Sequence, residues 1–120
     1  MQEIIEKYIA CWNETDPQRR RALIDEVWAV DASYTDPMAE LRGRAEIDAG
    51  VAGAQQMFAG MVFTLAGPVD ANHNQARFTW HLGPEGSTEP VVIGFDVAVA
   101  DEGGQLRSVH GFLDKVPAGA

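Results

Sequence analysis

The first half of the chain has the periodicity of amphipathic helices. Between residues 3 and 13, apolar side chains recur at spacings of three and four and therefore share one helical face. They are Ile4, Ile5, Tyr8, Ile9 and Trp12. A second helix is predicted to begin at Asp16 and Pro17, because Asp is a favoured N-cap and Pro fits the first turn. Its inner face is predicted to carry Ala22, Leu23, Ile24, Val27 and Trp28. A third helix is expected from about Arg44 to Phe58.

The second half alternates apolar and polar residues, which is the period of a β-strand. Strands are predicted over residues 61–69, 75–82, 90–100 and 105–115. A shorter strand, from Ser33 to Asp36, precedes the third helix and ends at Pro37, which has no backbone donor. This order predicts one α+β domain over residues 1–120, in which a curved antiparallel sheet wraps around the helices.

Composition excludes several functional classes. A net charge of -9 argues against binding to nucleic acid or to anionic membranes. No apolar run approaches the roughly 20 residues of a membrane span. The N-terminus does not resemble a secretory signal, and the single cysteine, Cys11, cannot form an internal disulfide, so we expect a cytoplasmic protein in which Cys11 has no chemistry. Residues Arg19 to Arg21 are interpreted as a solvated face rather than a phosphate-binding cluster.

One candidate for acid–base chemistry lies at the end of the short strand. Because Pro37 ends the ladder there, the carboxylate of Asp36 can lean into a cavity without interrupting the sheet. We interpret Asp36 as a proton-transfer base at the mouth of an apolar pocket. The alternative is that Asp36 and Pro37 form only a strand-ending turn, since both residue types are common in turns.

A second candidate is the only ionisable residue between Pro90 and Val99. Alternation places Asp96 on the same strand face as Val92, Gly94 and Ala98, in a strand that is expected to be buried on both faces. Burial disfavours an ionised carboxylate, so we expect a raised pKa and a neutral acid that donates a hydrogen bond. The alternatives are a salt bridge to an arginine or a wet cavity around the carboxylate.

No metal site or cofactor is expected. The three histidines, His73, His81 and His110, lie on different predicted elements, and none has a partner at the spacing of metal ligands. The sequence also lacks a phosphate-binding loop, a dinucleotide fingerprint and a serine-nucleophile elbow.

Three segments, in order, resemble the nuclear transport factor 2-like superfamily, which includes ketosteroid isomerase and the SnoaL-like polyketide cyclases. EKYIA at residues 6–10 is similar to the segment of the isomerase that bears its oxyanion-hole tyrosine. DASYTDP at residues 31–37 resembles its catalytic-base segment, and VVIGFD at residues 91–96 the strand of its second oxyanion-hole residue. The resemblance extends from about residue 3 to residue 116 and implies a cone-shaped α+β barrel.

The resemblance also implies roles for three residues. Tyr8 matches the oxyanion-hole tyrosine, Asp36 the base, and Asp96 the acid that stays protonated. Two positions depart from the isomerase, since Val51 stands where a supporting tyrosine is common and Gly94 stands in place of a proline. These departures concern steroid specificity more than the pocket.

The predicted function is therefore cofactor-independent proton transfer on a small apolar ketone or enone. Asp36 would remove a proton α to the carbonyl, while Tyr8 and neutral Asp96 would bind the enolate oxygen. The residues predicted to contact the substrate are Tyr34, Phe58, Phe78, Trp80, Leu82 and Phe112. The alternatives are a SnoaL-like polyketide cyclase, an epoxide hydrolase that would need an arginine such as Arg77 near the carboxylates, and a non-catalytic protein that binds apolar ligands.

A homodimer is also expected. The odd-numbered face of the strand around Asp96 is a row of branched and aromatic residues, which a second copy of the chain would cover. This row consists of Val91, Ile93, Phe95, Val97 and Val99.

Overall fold

The computed structural model describes residues 1–117 as three helices and six strands. The helices are α1 (Gln2–Asn13), α2 (Pro17–Val27) and α3 (Gly43–Met57). The strands are β1 (Trp28–Thr35), β2 (Glu40–Arg42), β3 (Met61–Asn72), β4 (Gln75–Pro84), β5 (Val92–Ala100) and β6 (Leu106–Lys115). The predicted α+β class with a curved sheet is confirmed. None of the described helices is long and apolar enough to cross a membrane.

The strands form one open sheet in the order β2-β1-β6-β5-β4-β3. Its pairings are antiparallel except that of β1 with β6, which is parallel, so the sheet is neither purely antiparallel nor a closed barrel. Strand β2 was not predicted because it has only three residues. The prediction that Trp28 belongs to the second helix is wrong, since Trp28 is the first residue of β1.

The inner face of the sheet forms the core together with the helices. In β4, Ala76, Phe78, Trp80 and Leu82 are buried, as alternation predicted. In β5, Val92, Gly94, Asp96 and Ala98 are buried, whereas the residues between them are only half-buried. The expectation that β5 is buried on both faces is therefore wrong for its outer face.

Polar side chains fix the helices to one another and to the sheet. The side chain of Asn13 bonds both the backbone oxygen and the backbone nitrogen of Phe63, each at 2.8 Å, and so ties the end of α1 to β3. Arg20 is buried, and its Nε donates to Asp48 at 2.8 Å. The prediction of a solvated arginine face is thus wrong for Arg20, which joins α2 to α3.

The outer face of β5 and β6 remains the predicted contact of a homodimer. Phe112 is 58% exposed there and pairs with the half-buried Phe95 across the two strands. We expect light scattering at micromolar concentration to give twice the chain mass of 13.0 kDa, and Phe112→Ser to shift the protein toward the monomer. Met38→Ser, at a position 66% exposed before β2, is the control that leaves the mass unchanged. A monomeric wild-type protein would contradict the expectation.

Candidate active site

A cavity of about 540 Å³ lies between the helices and the inner face of the sheet. This volume is in the usual range for a small-molecule site. Its wall is mainly apolar and consists of Tyr8, Ile9, Trp12, Tyr34, Asp36, Met38, Ala39, Leu41, Gly50, Gly53, Ala54, Met57, Phe58, Phe63, Trp80, Leu82, Val92, Leu113, Val116 and Pro117. The cavity therefore suits an apolar ligand that meets a few polar groups.

Tyr8 and Asp96 form a buried hydrogen-bonded pair. Tyr8 lies in the apolar face of α1, and its ring packs edge-on against Trp28 and Phe78, each with ring centroids 5.7 Å apart. Its hydroxyl donates to Asp96 Oδ2 at 2.7 Å. Burial and the neighbouring Asp96 raise the pKa of Tyr8 well above its ordinary value, so the phenol stays protonated and acts as a donor.

Asp96 lies behind Tyr8 rather than in the cavity wall. It is 1% exposed, and its Oδ1 has no hydrogen-bond partner among the described residues. Burial raises the pKa of Asp96 to about 6, although the hydrogen bond from Tyr8 opposes the rise. The direction of this shift agrees with the raised pKa expected from the sequence. No arginine bonds Asp96 within residues 1–117, so the salt-bridge alternative is not realised.

Tyr34 and Asp36 form a second pair at the cavity wall. They are two residues apart on one face of the strand end, and the Tyr34 hydroxyl donates to Asp36 Oδ2 at 2.7 Å. Asp36 Oδ1 accepts the backbone N–H groups of Met38 and Ala39, both at 2.8 Å. Asp36 therefore closes the strand-ending turn and also borders the cavity, so the two interpretations of this residue are compatible.

The two pairs meet beside Gly111 on β6, the direct partner of Asp96 on β5. A Cβ atom at Gly111 would lie 2.9 Å from Asp96 Oδ1, 3.3 Å from Asp36 Cβ and 3.5 Å from the Tyr34 hydroxyl. Both acids and one phenol thus surround a single point. The missing side chain of Gly111 is what leaves room for them.

Four of the six residues predicted to contact a substrate line the cavity, namely Tyr34, Phe58, Trp80 and Leu82. Phe78 does not, because it is buried beneath the ring of Tyr8. The placement of Phe112 is wrong, since it lies on the outer face of the sheet and its neighbour Leu113 lines the cavity. Phe112 and Leu113 are consecutive strand residues and so lie on opposite faces of the sheet. The register shift between the pairs Ala100–Leu106 and Val99–Ser108 places Leu113 rather than Phe112 on the same face as the buried Leu106, and sequence alternation alone does not locate such a shift.

Several wall residues were not predicted as part of the site. Trp12 follows Tyr8 by four residues in α1 and so shares its helical face. This spacing could have predicted that Trp12 lines the same cavity as Tyr8. Phe63 on β3 packs against Trp12, with ring centroids 5.5 Å apart. Met38 and Met57 lie in a turn and at a helix end, where no periodicity marks them.

Other reactive side chains lie outside this site. Burial raises the pKa of the Cys11 thiol to about 12, so the thiol is inert near neutral pH. Residues 1–117 contain no cluster of His, Cys, Asp or Glu side chains that would hold a metal ion.

The chain belongs to the SnoaL-like domain family, which matches residues 5–109. A protein of the SnoaL-like family from Agrobacterium tumefaciens strain C58, described as a putative isomerase, is 38% identical in sequence. The match covers 94% of this chain and 96% of that one, with a TM-score of 0.89. The resemblance predicted from the sequence is confirmed at the level of this family.

More distant structures share the fold alone. A putative polyketide cyclase from Sinorhizobium meliloti is 16% identical, with 91% of this chain and 93% of that chain covered and a TM-score of 0.71. A SnoaL-like protein of unknown function from Burkholderia thailandensis E264 is 14% identical, with 93% and 92% covered and a TM-score of 0.72. No curated protein sequence matches the chain.

The raised pKa of Asp96 predicts how stability changes with pH. The folded-state value of about 6 lies above the unfolded value of about 3.9, so the stabilisation from the neutral acid is complete below about pH 4 and is lost as the pH rises through 6. Asp96→Asn keeps a neutral side chain at every pH. We therefore expect the free energy of unfolding of Asp96→Asn, measured in urea, to rise relative to that of the wild type by about 3 kcal/mol between about pH 4 and pH 8.

The control is Asp31→Asn, which removes an exposed carboxylate from β1 and should leave the difference from wild type nearly constant. A difference between Asp96→Asn and wild type that does not change with pH would mean that Asp96 is not preferentially neutral in the folded protein.

Proposed function

We propose that this SnoaL-like protein is an enzyme that moves a proton on a small apolar ketone or enone through an enolate. The observation that carries the proposal is that two tyrosine–aspartate pairs meet at one apolar cavity, whose wall includes Tyr8, Tyr34 and Asp36. A base and a donor of hydrogen bonds at one end of an apolar site are the two groups that enolate chemistry needs.

Asp36 is the proposed base. An ionised carboxylate has about four lone-pair positions, and three of those on Asp36 are filled by Tyr34 and by two backbone N–H groups. One position on Oδ2 is left for the proton of a substrate. The same three bonds hold the carboxylate in place, so it does not need to be ordered when the ligand binds.

Tyr8 is the proposed donor to the enolate oxygen. Tyr8 borders the cavity, and an oxyanion donor of this kind is typically worth about 3 kcal/mol. A phenol has one proton, so when Tyr8 donates to the enolate oxygen the 2.7 Å bond to Asp96 is held by the proton of the neutral Asp96 carboxyl group. Asp96 is buried behind it and does not border the cavity, so we assign Asp96 a positioning role. In its neutral form, which predominates below about pH 6, Asp96 places no competing negative charge beside the developing enolate.

The reaction then follows from these positions. Asp36 takes a proton from the carbon next to the carbonyl group, the electron pair of that C–H bond forms the enolate, and the carbonyl oxygen gains the charge that Tyr8 stabilises. Asp36 returns the proton to a carbon farther along the conjugated system, which shifts the double bond. The similar protein from A. tumefaciens is described as a putative isomerase, which agrees with this reaction class.

Two alternatives use the same cavity. A polyketide cyclase would share the first proton removal and then close a carbon–carbon bond, and a structure with this fold is described as such an enzyme. Epoxide hydrolysis is less well supported, because the candidate arginine, Arg77, is 65% exposed and bonds Asp70 at 2.8 Å.

Asp36→Asn tests the proposal. The variant keeps the shape of the side chain but removes the base, so we expect isomerisation of a β,γ-unsaturated ketone to fall by about 10²- to 10⁴-fold. Deuterium uptake next to the carbonyl of a saturated ketone, followed by NMR in D₂O, should fall with it. The matched control is Asp31→Asn, which alters an exposed carboxylate on the same strand and should keep the wild-type rate.

Unchanged turnover in Asp36→Asn would refute the base assignment. Tight binding of apolar ketones by a wild-type protein that neither isomerises them nor exchanges their protons would favour the non-catalytic alternative.

A further inference from the structure

Asp36 is the only acid or base, apart from the two tyrosines, among the residues that line the cavity within residues 1–117. No lysine, arginine or histidine borders it in that part of the chain. Within residues 1–117 the site therefore offers a ligand one carboxylate, phenol donors and apolar surface, but no positive charge.

Most cations within residues 1–117 have partners outside the cavity wall. Arg20 is held by Asp48 and Gln55 between the helices, and Arg44 donates to the backbone oxygens of Trp28 and Asp25. Most of the others bond acidic partners or backbone outside the cavity, as in Lys7–Glu26, Arg21–Asp25, Arg42–Glu40, Arg77–Asp70 and Lys115–Pro90. None of these residues is part of the cavity wall, so none supplies a charge partner there to a bound anion.

The opening of the cavity is also apolar. Met38 and Met57 line the cavity and are 66% and 63% exposed, so they lie where it meets solvent. Val116 lines it too and is 46% exposed. A ligand that extends out of the cavity therefore meets methionine and valine side chains at the rim.

Binding of an anion in this cavity would have two energetic costs. It would lose its hydration to an apolar wall, and it would lie within a few ångströms of the Asp36 carboxylate. Two like charges about 6 Å apart at an effective dielectric constant near 20 repel strongly enough to lower affinity on the order of a hundredfold. A ketone or ester of the same shape avoids both costs.

We propose that the cavity selects neutral ligands and rejects carboxylates, phosphates and sulfates, with Asp36 as the residue that determines this specificity. The inference concerns ligand binding, and it rests on the proposed function only where it describes the bound ligand as the substrate of a reaction. Under it, the substrate is an uncharged ketone, enone or ester. A reaction that supplies it must already have removed, esterified or otherwise masked any carboxyl group on the part that enters the cavity.

The test is equilibrium binding of three ligands of matched shape. They are a naphthyl-substituted methyl ketone, the carboxylic acid of the same length, and the methyl ester of that acid, measured by naphthalene fluorescence or calorimetry at about pH 8, where the acid is ionised. We expect the ketone and the ester to bind wild type similarly and the acid on the order of a hundredfold more weakly. Because the ester differs from the acid mainly in its charge, this comparison needs no variant.

Two variants then locate the cause. Asp36→Asn should narrow the ratio of ketone to acid affinity at least tenfold. Asp70→Asn makes the same change in net charge at a site 58% exposed on the outer face, and should leave the ratio as in wild type. An equal effect of both variants would show that overall charge, rather than the cavity, excludes anions, and would overturn the proposal.

Equal affinity of wild type for acid, ester and ketone would also overturn the proposal, as would failure of both neutral ligands to bind. Because these measurements involve no turnover, they separate this proposal from the enzymatic one. If the wild type binds the ketone more tightly than the acid but Asp36→Asn keeps normal activity, only the assignment of Asp36 as the base is refuted. If Asp36→Asn loses activity but the wild type binds the ketone and the acid equally, only the present inference is refuted.

Discussion

The hydrogen bond between Tyr8 and Asp96 is the interaction on which the site depends. It joins α1 to β5 deep in the core, and neither partner has appreciable contact with solvent. A carboxylate in such a place is costly unless it is neutral or fully paired, and one oxygen of Asp96 has no partner among the described residues. The protein therefore holds an acid whose pKa is raised by burial, next to a phenol that is hydrogen-bonded to it.

Glycines at two strand positions make this arrangement possible. A Cβ atom at Gly94 would lie 2.0 Å from the indole of Trp80, so that ring lies across the strand beside Asp96. Gly111 gives the same freedom to Asp96 and Asp36 from the neighbouring strand. Small residues on the sheet thus convert a packed core into a site, because they let large and polar side chains share space that ordinary side chains would fill.

Much of this was accessible from the sequence. Helical spacing placed Tyr8 on an inner face, alternation placed Asp96 on a buried one, and Pro37 marked the strand end at Asp36. The features that the sequence did not predict depend on tertiary contacts. The burial of Arg20 depends on Asp48, which is 28 residues away, and the outward position of Phe112 depends on the pairing of β6 with β5. Neither leaves a local pattern in the sequence.

The most direct measurement is the titration of the Asp96 carboxyl carbon by ¹³C NMR in the wild-type protein. Burial beside Tyr8 predicts a midpoint of about 6, well above that of an ordinary aspartate. A midpoint near the unperturbed value of about 3.9 would mean that the carboxyl group is well solvated or charge-paired in solution. In that case the buried tyrosine–aspartate pair would not exist as described, and the account of the site would be wrong.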